Sequence, residues 1–495
     1  MIRLVALAAI ALAVAAGEAR AADFRIVVVP GLELADLGRL QQRGAVGLLS
    51  PGAGRRTSTA LAVASLVRGE VVNSARGAAT GPVLVSFETR ATTPPGPAIV
   101  LALPRGGVQP NDRRYPIAVL GGGYRGLLTS ESTRVPGLVT IGDVAPTALG
   151  RRDGLGWRPE PDAAASVAAL DRRIDDHRAA KLPAMLLTVG LTALLALLFP
   201  RAGLLGFPAA LGANLGLGAA GATSLWLVLL SIGLAVAAGA PLAALALRSQ
   251  AALGGAMAAV LAGYLVALAV DGSWIAFSPL GPEQSGRYYG LTNLLETLML
   301  VPALAGAALL WRRVGIAGAT GVAALAFVTV AGNRFGADGG GAIVLGVAYA
   351  VLIVGLVRAP RRALAVALPA AAALVVAFVA IDAATGASSH VTGAFADGPG
   401  GLIDDLRNRA VLSYDNAVAS WGAGLAVCAS LAGLVLLAAV VFRRALATED
   451  RALLTAYLAA IATSLVVNDS PLDVSLVGLA GFAALVRGTR GLRRL

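Results

Sequence analysis

The chain has 495 residues, 57% hydrophobic and only 14% charged, which is too apolar for a soluble enzyme. Its net charge of +12 does not point to nucleic acid, because the arginines punctuate apolar runs rather than form one basic stripe. One cysteine, Cys428, excludes an intrachain disulfide, and two histidines, His177 and His390, exclude a multi-histidine metal site.

In chain order, Met1-Ile2-Arg3 is a short basic start and Leu4 to Ala16 an apolar core. Ala19-Arg20-Ala21 gives the small-x-small pattern, so residues 1–21 are expected to be a signal peptide. Residues 22–160 are expected to form an extracytoplasmic α/β domain. Strands are read at Phe24 to Val29, Gly81 to Phe87, Ala98 to Leu103 and Tyr115 to Leu120, with helical patterns near 33–43, 57–68 and 142–149. This alternation predicts a mainly parallel sheet. Gly121-Gly122-Gly123-Tyr124-Arg125-Gly126 matches GxGxxG, but no clear helix opens from it, and it reads as a glycine-rich turn.

Asp143-Val144-Ala145-Pro146-Thr147-Ala148-Leu149 resembles a segment of the alkaline phosphatase and sulfatase superfamily. Val28-Val29-Pro30-Gly31-Leu32 stands where that superfamily has its first strand, and Ser58-Thr59 near where its nucleophile opens a helix. The resemblance implies a shortened phosphatase-like fold. The superfamily's metal-binding Asp after strand one is replaced by Pro30-Gly31, and its Asp-His-Gly motif is missing. Two-metal chemistry needs those ligands, so the expectation is a degenerate, metal-free domain that binds or docks.

Residues 161–181 read as a charged juxtamembrane linker helix with His177 on its surface. From 182 to 487 the chain reads as an all-α bundle of about eleven membrane spans: 182–200, 203–221, 223–245, 251–270, 290–311, 314–332, 341–357, 363–381, 421–442, 452–468 and 471–486. Arg201, Arg248, Arg312-Arg313, Arg358, Arg361-Arg362 and Arg443-Arg444 fall on one side only if 202–247 makes two spans. Retention of arginine on the inside then predicts a multi-pass protein of the cytoplasmic membrane, its N-terminal domain outside and its basic tail 488–495 in the cytoplasm.

This topology gathers the polar loops on the outer face. Arg287-Tyr288-Tyr289-Gly290-Leu291-Thr292-Asn293 leads into a span, with Glu296 one turn later. A membrane-boundary acid needs a partner or a wet cavity. Arg287 would pair with it or grip a phosphate; the bland reading is a structural pair flanked by interfacial tyrosines. Arg334 and Asp338 lie in a glycine-rich helix entry that would bind an anion, unless Asp338 simply caps the helix. The long outer loop 382–420 holds Asp382, His390 and Asp397, then an amphipathic pattern over Leu402 to Ala417. His390 is the natural general base. Asn468-Asp469-Ser470 breaks the last hairpin.

The candidate site is therefore His390, Arg287 and Glu296 for catalysis, with Asn293, Arg334, Asp338, Asn468 and Asp469 binding substrate. Asp382, His390, Asp397 and Asp469 would together hold one divalent cation. The RYYGLTN, SSH and NDS segments with the glycine-rich entry resemble a bacterial envelope family. In it a degenerate phosphatase-like domain precedes a polytopic bundle, and no reaction comes with the resemblance. The expected function is binding or processing of lipid-linked, phosphate-bearing envelope precursors such as a polyprenyl-phosphate or glycolipid. The alternatives are transport of a small anion or ion, and a non-catalytic scaffold recruiting other envelope proteins.

Overall fold

The computed structural model describes residues 24–52, 56–68, 85–87, 96–151, 154–282, 288–384, 413–414, 416–418 and 420–492. The proposed signal peptide, Arg287, His390, Asp397 and most of the amphipathic pattern at 402–417 lie outside them. The chain divides into two compact units at Asp171/Arg172.

The first unit is built on a sheet of β1 (Arg25–Val28), β2 (Gly44–Ser50), β4 (Val85–Phe87), β5 (Ala98–Leu101), β7 (Tyr115–Leu120), β8 (Gly126–Thr129), β9 (Leu138–Thr140) and β10 (Gly156–Arg158). Its order is β10-β8-β2-β7-β5-β1-β4, with β9 also paired to β2. A two-stranded ribbon, β3 (Arg56–Thr57) with β6 (Gln109–Pro110), stands apart. The sheet is mixed rather than mainly parallel: β7 runs against both β2 and β5, and β10 against β8. Residues 102–114, which join β5 to β7, hold no helix, so β7 returns against β5 instead of crossing over to run parallel to it.

The fully buried β2, missed in the sequence, is the organising strand. Gly44 lets it close on β7, because a β-carbon there would collide with the Val119 carbonyl. Ile26, Leu49, Ile99, Ile117 and Val139 build the core with Ala62 and Leu66 of α1 (Thr59–Arg68) and Val144 and Ala148 of α2 (Val144–Ala148). The GxGxxG segment is a turn joining β7 to β8, with positive φ at Gly121, Gly122, Gly123 and Gly126.

The second unit is helical. After α3 (Ala163–Leu198) come α4 (Pro200–Leu204), α5 (Gly206–Ala219), α6 (Leu225–Ala246), α7 (Gln250–Val270), α8 (Asn293–Val314), α9 (Ile316–Ala331), α10 (Gly339–Leu356), α11 (Leu364–Ala384), α12 (Trp421–Phe442), α13 (Thr448–Val467) and α14 (Pro471–Leu492). Among the described residues nine helices are long and apolar enough to cross a membrane, so the chain reads as a multi-pass membrane protein. Two of the eleven expected spans are shorter helices. One is α9, of 16 residues. The other is α4 and α5 meeting at Leu205, whose backbone stays helical at φ −94° and ψ −2°. Together α4 and α5 connect opposite ends of the unit: Arg201 donates to the Leu247 carbonyl at one (2.9 Å), and Gly218 abuts the Trp274 carbonyl at the other. Segment 202–247 thus holds α4, α5 and α6, of which α6 is long and apolar enough to cross a membrane.

α6 contains a π turn over Ala235–Gly239. Pro241 follows it and has no N–H to return to the preceding turn. α8 is central, buried at every position from Leu294 to Leu309. α11 and α12 are peripheral and turn Val366, Leu374, Leu425 and Leu436 outward, as lipid-facing helices do. Close approaches use small residues, such as Gly355 against Ala452.

The two ends of this unit differ. One carries Arg201, Arg312, Arg358 and Arg487. Arg312 pairs with buried Asp450 at 2.7 Å, Arg358 lies 3.5 Å from Glu449, and Arg487 donates to the Leu197 carbonyl at 2.9 Å. The opposite end carries the polar turns.

Candidate functional site

Four parts of the chain meet at the end opposite the arginines: the start of α8, the turn before α10, the end of α13, and Asn416. α8 begins where Thr292 caps it, its hydroxyl accepting from Leu295 N–H at 3.3 Å. That fixes Asn293 and Glu296 in the first turn. The Asn293 amide donates to Asp469 Oδ1 (2.8 Å) and to Ser470 Oγ (3.2 Å), while Asn416 donates to the Asp469 carbonyl (2.7 Å).

Deeper, Glu296 is only 1% exposed. Its Oε2 accepts from the Asn468 amide at 2.8 Å, and the same Nδ2 group reaches Ser464 Oγ at 2.8 Å. Asp338 caps α10, its Oδ1 accepting from Gly341 N–H at 3.1 Å. Of the two readings of the glycine-rich entry, the cap is the one formed. A carboxylate already sits at that helix terminus, where an anion would otherwise go. A β-carbon on Gly340 would lie within 3.5 Å of both Asn468 Oδ1 and Asp338 Oδ1, which puts Asp338 beside the Glu296–Asn468 pair.

The backbone locks these segments together. Gly290, at φ +75°, packs against the Gly336 carbonyl with no room for a side chain, and Leu291 N–H donates to that carbonyl at 2.9 Å. Elsewhere in the unit, Asn214 is fully buried and donates to Tyr264 Oη (3.0 Å) and Ser278 Oγ (2.9 Å) while accepting from Leu280 N–H (2.8 Å). Asn214 therefore organises the turn after α7, and both of its amide hydrogens are taken up in doing so.

Of the candidate residues, Asn293, Glu296, Asp338, Asn468 and Asp469 come together here, and Arg334 lies exposed in the same turn as Asp338. Asp382 falls in the last turn of α11, its side chain outside the described residues. Among the described residues no group of three or more His, Cys, Asp or Glu gathers as a metal cluster. Tyr288 and Tyr289 are buried rather than interfacial. His177 is likewise buried, not on the surface. It stacks on Phe277 at 6.3 Å, and the Arg173 guanidinium lies 4.6 Å from that ring. Its packing partner is a hundred positions away, beyond any local pattern.

Sequence reading missed Ser464 and Asn416, and singled out Ser470 only as part of the hairpin break. Ser464 carried a signal: four residues before Asn468, it shares that helix face. In the sheet unit, Ser58 and Thr59 serve structure. Ser58 Oγ accepts from Leu61 N–H at 3.2 Å, and the Thr59 hydroxyl donates to the Pro104 carbonyl at 2.7 Å. The Asp143 carboxylate accepts from Ser130, Ser132 and both N–H and hydroxyl of Thr140, and staples its turn.

No family model, curated protein or solved structure matches this chain.

Proposed function

We propose that the chain is a multi-pass protein of a bacterial cytoplasmic membrane that binds or processes lipid-linked, phosphate-bearing envelope precursors at its outer face. The observation that carries this reading is the meeting of Asn293, Asp469, Ser470 and Asn416, from separate segments, at the end opposite the arginines. With arginine retained inside, that end faces out and the sheet unit is extracytoplasmic. Amides and carboxylates of this kind suit sugar hydroxyls. The phosphate would fall to Arg334 and Arg287, with His390 as base. The sheet unit, as a degenerate phosphatase-like domain, would recruit or orient other envelope proteins.

Native mass spectrometry of the protein in nanodiscs, wild type beside Asn293→Ala and Arg287→Ala, tests this. A polyprenyl-phosphate or glycolipid retained by the wild type and lost from both variants is the expected result. Only bulk phospholipid in all three samples would remove the basis for a glycolipid site. A second reading, ion transport, is favoured by one feature: two acids, Glu296 and Asp338, buried in the bundle. Cation-dependent solute uptake into proteoliposomes would select it.

A further inference from the structure

We propose that Glu296, Asp338 and Asn468 form a binding site for one hard cation, divalent by its charge and held by oxygen. Three oxygens carry the argument: Glu296 Oε1, Asp338 Oδ2 and Asn468 Oδ1. Each is buried, and no hydrogen-bond donor among the described residues reaches any of them. Their residues are 1%, 4% and 1% exposed. A buried acceptor without a donor is costly, and two buried carboxylates cost more.

Three neighbouring donors are committed elsewhere. The Asn468 amide serves Glu296 Oε2 and Ser464, Gly341 N–H serves Asp338 Oδ1, and the Asn293 amide serves Asp469 and Ser470. Glycine lets the amide and the acid come close. A β-carbon at Gly340 would collide with Asn468 Oδ1 and lie 3.5 Å from Asp338 Oδ1, and one at Gly341 would lie 3.3 Å from Asp338 Oδ2. Amide and acid thus approach the same glycine pair from two elements.

The donor set selects the class of ion. No described histidine or cysteine joins it, so a soft or imidazole-seeking metal has nothing to bind. Two carboxylates and one amide oxygen suit a hard cation of the calcium or magnesium class, and a charge of two balances both acids. Such an ion would tie α8, α10 and α13 together beneath the polar rim, independently of which substrate the rim binds.

The test uses the full-length protein in nanodiscs, stripped with a chelator and titrated separately with Ca2+, Mg2+ and Na+ by calorimetry and thermal unfolding. Saturable one-to-one binding of a divalent ion with a raised melting temperature is expected. Glu296→Gln and Asp338→Asn keep side-chain shape and should weaken that binding at least about tenfold. Asn468→Asp adds a third anion and should tighten it, a gain that misfolding cannot imitate. An equal response in wild type and variants would overturn the proposal, as would Na+ alone reproducing the effect. A pH-dependent stability with no cation response would assign the balancing charge to a proton. A cation response seen only in Arg287→Ala would assign it to that arginine. Either result also overturns the site.

Discussion

The two ends of the helical unit handle buried charge in opposite ways. At the arginine-rich end, buried Asp450 meets Arg312 at 2.7 Å, and Arg201 and Arg487 end on helix-terminal carbonyls. Charge there is spent on closing helix ends against one another. At the other end, Glu296 and Asp338 share a small volume with the Asn468 amide, and each keeps an oxygen that no described donor reaches. Paired charge is what architecture needs. Unpaired charge persists only where something else supplies the balance, which is why the second end is the one to probe for function.

The contrast is open to direct attack. Asp450→Ala should be the most damaging change, costing about 3–5 kcal/mol by leaving Arg312 without its partner; a large fall in thermal midpoint in nanodiscs is expected. Asn214→Leu comes next, at about 1–3 kcal/mol, because it strands the Leu280 N–H; faster hydrogen exchange confined to residues 271–281 would locate the damage. Asn293→Ala should cost about 1 kcal/mol, and its crosslinking signature is loosened contact between positions 293 and 469. Arg358→Ala, with a side chain 70% exposed, should cost less than about 1 kcal/mol and be indistinguishable from wild type at high salt. Glu296→Gln closes the series. In chelator-stripped protein it should not lower the thermal midpoint at all, since it removes a buried charge and keeps the acceptor for Asn468. A collapse of stability comparable to Asp450→Ala would show that the two ends are alike after all.

Much of the helical unit was legible because bilayer thickness writes itself into apolar run length. The arginine spacing predicts two spans over segment 202–247, where hydropathy alone was ambiguous; the structure places the short helices α4 and α5 before α6 there. The sheet was harder. Gly44-Ala45-Val46-Gly47-Leu48-Leu49-Ser50 has neither the alternation nor the β-branched density that marks a strand, since it is buried on both faces. Short strands such as β9 and β10 carry almost no periodicity. For the site, Glu296, Asp338 and Asn468 each stood out as polar residues beside apolar runs. Their meeting did not, because Glu296 and Asn468 are 172 positions apart.

The Gly290–Gly336 contact sets a limit on how this protein can vary. Position 290 needs a left-handed backbone and has a carbonyl where any side chain would begin. A saturation library there should return glycine almost alone, even under selection for membrane insertion only. An alanine would prise the turn bearing Arg334 and Asp338 away from the helix bearing Asn293 and Glu296. One missing methyl group thus acts as the rivet between two halves of a site whose chemistry lies entirely on other residues.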